Sequence, residues 1–281
     1  MSRINLLGIL CLMTFTTLAR AERVFLPRGN LFTPLLADPK EPRLSAYRVN
    51  TTYAPRKTIG ASVSAGGEIG ILRDENQLSN PQWQLGLSGG VFGEFDLNSP
   101  LTDLVSVDYS VGFPITFRQG KASIRLRPYH QSSHMGDKYL AQNLFQRIDL
   151  SYDSLETLLS IEEKTVRIYL GDEYIFARNP AHLKQQLIHG GIEARSPQPY
   201  HAGPWGSVWV VAAMDVKSWE EVKWSPAWSL KGGIEIISHT RPGESKRSMT
   251  LSVIYYDGFT PFGQFYSERI SYWGFGVSFS L

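Results

Sequence analysis

Beyond Cys11 the sequence has no cysteine, which leaves the rest of the chain without a disulfide framework, a thiolate metal site or a cysteine nucleophile. It also lacks charge of one sign. Lys and Arg number 28 against 26 Asp and Glu, with charged residues only 19% of the chain, which excludes the basic face of a nucleic-acid binder. After the N-terminus no apolar run reaches about 18 residues, so a helical membrane span is excluded. Internal repeats and low-complexity tracts are absent. Against these absences stand 25 glycines, 12% aromatic residues and 42% hydrophobic residues, a composition unlike a helical bundle or a disordered chain. The 281 residues have ample apolar surface for a core, and on average hydropathy they read as soluble.

The first residues change that reading. Arg3 supplies a positive start, Ile4 to Leu18 an apolar run, and Ala19-Arg20-Ala21 a small-x-small cleavage site. Residues 1–21 therefore read as an export signal, cleaved near Ala21. Losing Arg3 and Arg20 brings the basic residues level with the 26 acidic ones, giving a neutral, cysteine-free exported chain suited to a bacterial envelope.

From Thr58 onward the sequence alternates with period two. Ile59, Ala61, Val63, Ala65, Ile69 and Ile71 share one parity, and Val105, Val107, Tyr109, Val111, Phe113, Ile115 and Phe117 repeat the pattern against polar neighbours. Alternate side chains of a strand point to opposite faces, so each segment is apolar on one side only. The runs last 10 to 15 residues, longer than the roughly 5–6 of soluble sandwiches and long enough to cross a bilayer at a tilt. Eleven segments stand out, near 58–72, 83–96, 103–118, 121–130, 147–161, 165–177, 186–197, 205–216, 228–239, 248–259 and 269–281. The even strand number of bacterial barrels adds a weaker twelfth at 43–53. The expectation is an all-β, antiparallel transmembrane β-barrel of about 12 strands over residues 43–281. Turns at 118–121 and 162–164 fall on the periplasmic side, and loops at 130–146, 178–186, 217–226 and 257–268 on the extracellular side. The tyrosines and tryptophans near strand ends (Tyr129, Trp205, Trp228, Tyr255, Tyr256, Tyr272, Trp273) suit interfacial girdles.

Residues 22–42 precede the barrel and carry Pro27, Pro34, Pro39 and Pro42 among Phe25, Leu26, Leu31, Phe32, Leu35 and Leu36. Four prolines preclude a long helix or a central strand. The segment reads as an extended periplasmic one that tucks against or into the barrel mouth. The charges of the inward parity (Asp108, Arg125, Arg127, Arg147, Asp149, Arg167, Glu193, Glu235) have mixed sign and either fill the lumen as a salt-bridge network or line a narrow channel.

The most unusual stretch is Tyr129 to Tyr139, which contains His130, Ser132, His134, Gly136 and Asp137. It follows a strand with Ala122, Ile124 and Leu126 on the apolar parity. Continuing that parity past Pro128 puts His130 and Ser132 on the lipid side at the extracellular rim, where polar groups are costly without a partner or a purpose. Histidine two residues from serine on one strand face sets an imidazole near a hydroxyl that it could activate, and a substrate arriving from the membrane would be a lipid ester. Two other uses of the stretch are a hydrogen-bonded anchor for an extracellular turn, bent at Gly136, and a metal role for His130, His134 and Asp137.

The run His130-Gln131-Ser132 resembles the His-x-Ser of the outer-membrane phospholipase A family and is shared by the outer-membrane lipid A 3-O-deacylases. The resemblance implies a twelve-stranded barrel with its catalytic residues on the outer wall and calcium as cofactor. It makes Ser132 the nucleophile, His130 the general base, and Asn143 (by spacing) or Gln146 (by strand parity) the group that orients the histidine. Ser133-His134 stands where that family has Asn-Gly. Over nearly the whole chain the sequence is similar to an uncharacterised outer-membrane family known only by a domain-of-unknown-function label. It shares that family's Phe-x-Pro-Leu-Leu-Ala-Asp-Pro-like opening at Phe32 to Pro39 and its His-x-Ser-Ser-His-x-Gly-Asp run at His130 to Asp137. The last segment, with Trp273, Phe275, Val277, Phe279 and Leu281 on one face, resembles the strand that outer-membrane proteins show to the barrel-assembly machinery. The expected partners are that machinery and outer-membrane lipid.

Overall fold

The computed structural model describes residues 23–53, 56–74, 81–143, 148–204, 206–238 and 247–280. The expected export signal at 1–21, Gln146, Arg147, Trp205 and Leu281 lie outside the described residues.

Twelve antiparallel strands close into a barrel. They are β1 (Leu44–Tyr53), β2 (Arg56–Asp74), β3 (Gln82–Asp96), β4 in two halves (Asp103–Gly112 and Ile115–Gln119), β5 (Ala122–Met135) and β6 (Leu150–Glu163). The circuit continues with β7 (Val166–Asn179), β8 (Gln186–Arg195), β9 (Gly206–Trp219), β10 (Pro226–Ser238), β11 (Ser248–Phe259) and β12 (Arg269–Ser280). Each strand pairs with the next, and β12 returns to β1 through the register Ser271↔Thr52 to Phe279↔Leu44. Closure leaves no edge strand, which satisfies every ladder without water. The weak segment at 43–53 is therefore a full strand. The two expected tight turns are present, with Gly120 (φ 57) and Lys164 (φ 49) in the left-handed region that such short connections need.

One boundary differs from the sequence reading. β5 does not end at His130 but runs on to Met135, held by Ser106↔Met135 on β4 and Ser133↔Leu150 on β6. Pro128 does not stop it. β4 is interrupted at Phe113-Pro114, opposite Pro128, and the Phe113 N–H still donates to the Pro128 carbonyl at 3.0 Å. The break in one strand thus absorbs the missing donor of the other.

The two faces sort as the alternation requires. Outward positions are apolar and exposed, among them Leu159, Ile168, Leu170, Val253 and Phe275. Inward positions are polar and buried, and they form a network. Arg125 and Arg127 hold Glu156 at 2.9 and 2.6 Å, and Arg167 holds Glu193 at 3.3 Å. Asp149, read as lumenal from sequence, instead lies exposed at the rim, where it accepts from Asn179 Nδ2 at 3.0 Å. It precedes β6, so the strand's parity does not govern it.

The proline-rich segment runs inside the barrel. Phe32 and Leu35 are fully buried against Leu158 and Tyr169, and the Phe32 ring lies beneath the guanidinium groups of Arg125 and Arg167. The Leu36 N–H donates to Glu193 at 2.6 Å, Asp38 pairs with Lys217 at 2.8 Å, and Glu41 takes Arg125 at 2.8 Å. Only its first residues, Arg23–Phe25, pair with a strand, against Leu72–Asp74 of β2; prolines suit the rest of the path because it forms no ladder among the described residues, and polar side chains of the wall take up its backbone groups. From the opposite end, the connection between β11 and β12 folds inward, burying Phe262, Gly263, Gln264 and Phe265. The two insertions leave a cavity of about 660 Å³ near the N-terminal end of β1, bordered by Arg43, Glu68, Glu193, Arg195 and Glu235. The two insertions occupy much of the lumen, and the inward charges of the described residues form a salt-bridge network there.

Candidate active site

Pairing of β5 with β4 and β6 builds an island of polar groups on the outward wall. The register sets His130 opposite Asp153 and Ser132 opposite Ser151 on β6, and Val111 opposite His130 and Tyr109 opposite Ser132 on β4. His130 Nδ1 lies 2.7 Å from Asp153 Oδ1, and its Nε2 lies 3.5 Å from Ser151 Oγ. A carboxylate on Nδ1 favours the tautomer with the proton there, which leaves Nε2 as the basic nitrogen. The Ser132 hydroxyl has no hydrogen-bond partner among the described residues. The His130 and Asp153 side chains are 46% and 44% exposed, so the pair is open to whatever covers the wall. Below it the surface is apolar, with Phe113 and Leu155 exposed.

The inner face of the same strand is locked. Gln131 and Ser133 alternate inward and are buried, the Ser133 hydroxyl donates to Asp108, and Gln264 Nε2 donates to the Ser133 carbonyl at 2.8 Å. At the strand's end a Cβ on Gly136 would sit 1.9 Å from the Leu104 carbonyl oxygen, so only glycine lets the chain leave β5 here. Interior bonds thus hold the backbone that presents His130 and Ser132 outside.

The other residues singled out from sequence divide. His134 shares the outward face, with its ring edge-on to Tyr109 at 5.8 Å between centroids. Asp137 is exposed and opens a short helix, α1 (Asp137–Asn143), which Asn143 closes. The place beside His130 Nδ1 is held by Asp153. Asp153 and Ser151 went unrecognised in the sequence, although the signal was there: both occupy the outward parity that continues as Leu155, Leu159 and Ile161. Among the described residues no group of three His, Cys, Asp or Glu side chains could hold a metal ion. Calcium needs six to eight oxygens, and the one carboxylate at the island is engaged by His130, so these residues do not fit that ion.

The barrel is similar to two solved structures. One is an outer membrane phospholipase of Salmonella typhi, a dimer with bound calcium, at 14% identity and a TM-score of 0.54, over 90% of this chain and 94% of that one. The other is outer membrane phospholipase A of Escherichia coli, at 14% identity and a TM-score of 0.53, over 89% and 93%. At this identity the likeness is one of fold. No curated protein matches the chain. A family model matches residues 9–281, and the chain belongs to that family, described as a protein of unknown function, DUF1207.

Proposed function

We propose that this protein is an outer-membrane acyl hydrolase that cleaves ester-linked fatty acids from lipids of the outer leaflet, a phospholipid or an acylated lipid A. One observation carries the reading: a histidine with a carboxylate 2.7 Å from Nδ1 and the Ser151 hydroxyl 3.5 Å from Nε2, with Ser132 opposite Ser151 in the register, on the lipid-facing wall of a membrane barrel. An isolated histidine–carboxylate pair on an apolar surface costs free energy and adds nothing to a barrel already closed by its ladders.

In this reading Ser132 attacks the ester carbonyl carbon while its proton passes to His130 Nε2. The tetrahedral intermediate collapses with loss of the alcohol, which takes that proton, and water then hydrolyses the acyl-serine by the same route. Asp153 keeps the imidazole in the required tautomer and stabilises its cation. Ser132 is assigned as nucleophile from the His-x-Ser order and its free hydroxyl. Ser151, at the limit of hydrogen-bond distance from Nε2, steadies the resting imidazole. No step is routed through a metal ion.

The test is fatty-acid release by refolded protein in detergent, with phospholipid or lipid A as substrate, with and without calcium. Release by the wild type and none by Ser132→Ala is expected. Equal release by both ends the hydrolase reading and leaves a non-enzymatic barrel. Loss in Ser151→Ala with retention in Ser132→Ala would transfer the nucleophile to β6.

A further inference from the structure

β1 carries a second polar stretch on its outward parity, Arg48, Asn50 and Thr52, in a region where the surrounding wall is apolar. The register sets Arg48 between Phe275 of β12 and Ala61 of β2. Asn50 lies between Trp273 and Ile59, and Thr52 between Ser271 and Lys57. Trp273 and Phe275 are 53% and 52% exposed. Arg48 and Lys57 are exposed, and among the described residues neither forms a hydrogen bond or ion pair. Asn50 Nδ2 is buried and has no hydrogen-bond partner among the described residues. The neighbouring carboxylate, Asp257 opposite Ser271, is already held by Arg269 at 2.7 Å.

The stretch is therefore a set of donors without an acceptor. A guanidinium on the lipid-facing wall is costly unless something neutralises it, and a buried amide N–H left unpaired carries its full desolvation penalty. Both deficits are removed by an anion. The flanking Trp273 and Phe275 present the surface that acyl chains cover, and a tryptophan in such a position marks the interface. An arginine fork matches phosphate, and its stem lets the charge rise toward headgroup level, where Lys57 stands at the rim.

We propose that Arg48, Asn50, Thr52 and Lys57 form a binding site for the phosphate of a lipid headgroup, with Trp273 and Phe275 against its acyl chains. Three strands separate β1 from β5, so this site is distinct from the His130 island and does not rest on the hydrolase reading.

The test uses the full chain in a non-ionic detergent, with retained lipid counted by native mass spectrometry. The probes are an ether-linked phosphatidic acid, which no esterase cleaves, the matching dialkylglycerol without phosphate, and inorganic phosphate. Wild type is expected to retain the phosphatidic acid at least about tenfold more tightly than the dialkylglycerol, and Arg48→Gln and Lys57→Gln each to weaken it by roughly fivefold to tenfold. The heat-modified gel mobility that reports folding is unchanged, and Ser132→Ala binds as wild type. Lys57→Gln, at the exposed rim, keeps the test valid if Arg48→Gln fails to fold. Retention of the phosphatidic acid by both variants as tight as by wild type, or equal retention of the two lipids by wild type, overturns the proposal. Displacement of the lipid by equimolar inorganic phosphate overturns it in favour of a free-anion site. A change of oligomeric state with lipid retention unaltered overturns it in favour of an interface between copies.

Discussion

Lys40 Nζ lies 2.6 Å from Asp108 Oδ2, and the same carboxylate takes the Gly263 N–H at 3.0 Å and the Ser133 hydroxyl. Asp108 thereby joins three elements: the N-terminal segment risen through the lumen, the inward-folded connection between β11 and β12, and the strand that carries Ser132 on its other face. It is 1% exposed. Asp108→Ala leaves an ammonium and a backbone N–H unpaired in the interior, which costs about 3–5 kcal/mol. A fall in the temperature of heat-modified gel mobility is expected, larger than for Lys40→Met, which removes the charge with its partner still bonded to two donors. Equal effects of the two would show that Asp108 does not bridge.

The occupied lumen gives a second expectation. Deleting residues 26–42 removes Phe32, Leu35, Asp38 and Glu41 from the interior while leaving the twelve strands intact. It joins the existing cavity of about 660 Å³ to the space that the segment occupied. In planar bilayers the deleted protein should show single-channel steps that the whole chain lacks. Identical traces would mean that the connection between β11 and β12 closes the barrel alone.

The ties of that segment depend on pH. Burial alone would raise the carboxyl groups of Asp38 and Glu41, but Lys217 and Arg125 beside them hold both below the usual carboxylate range. A depressed pKa stabilises the bound segment fully above the unfolded value of about 4, and that stability is lost as pH falls through the folded values. Hydrogen exchange of the peptide across residues 30–43, corrected for the intrinsic rate, should stay slow from pH 8 to 5 and quicken only below about 4. Quickening near neutrality would point to a different latch.

On the outer wall, His130→Ala should lower fatty-acid release by a factor on the order of 10³, and Asp153→Asn by about 10². An Asp153→Asn enzyme with the wild-type rate would reduce the pair to a surface contact.

Much of this was legible in the sequence because a barrel wall is a period-two object. The apolar parity of 105–117 and 122–126 gave strand positions and faces, and the Pro27–Pro42 spacing gave an extended, unpaired segment. The depth of that segment was not legible: nothing local to Asp38 or Glu41 shows that Lys217 and Arg125 await them across more than 80 residues. The last five residues of β5 are not legible, because His130 to Asp137 is polar enough to read as a loop and only the pairing with β4 and β6 carries the strand on to Met135. The partner of His130 was hidden for a related reason. The resemblance points to Asn143 by spacing and Gln146 by strand parity, whereas the register of β5 with β6 brings Asp153 from 23 residues away.

The central claim is a reactive serine on the lipid-facing wall at position 132, and covalent labelling tests it most directly. The whole protein in detergent is treated with a long-chain alkyl phosphonofluoridate, and the modified peptide is identified by mass spectrometry. One label per chain, on Ser132, abolished by His130→Ala, is the expected result. Absence of a label, or one that forms equally in His130→Ala, would contradict the account.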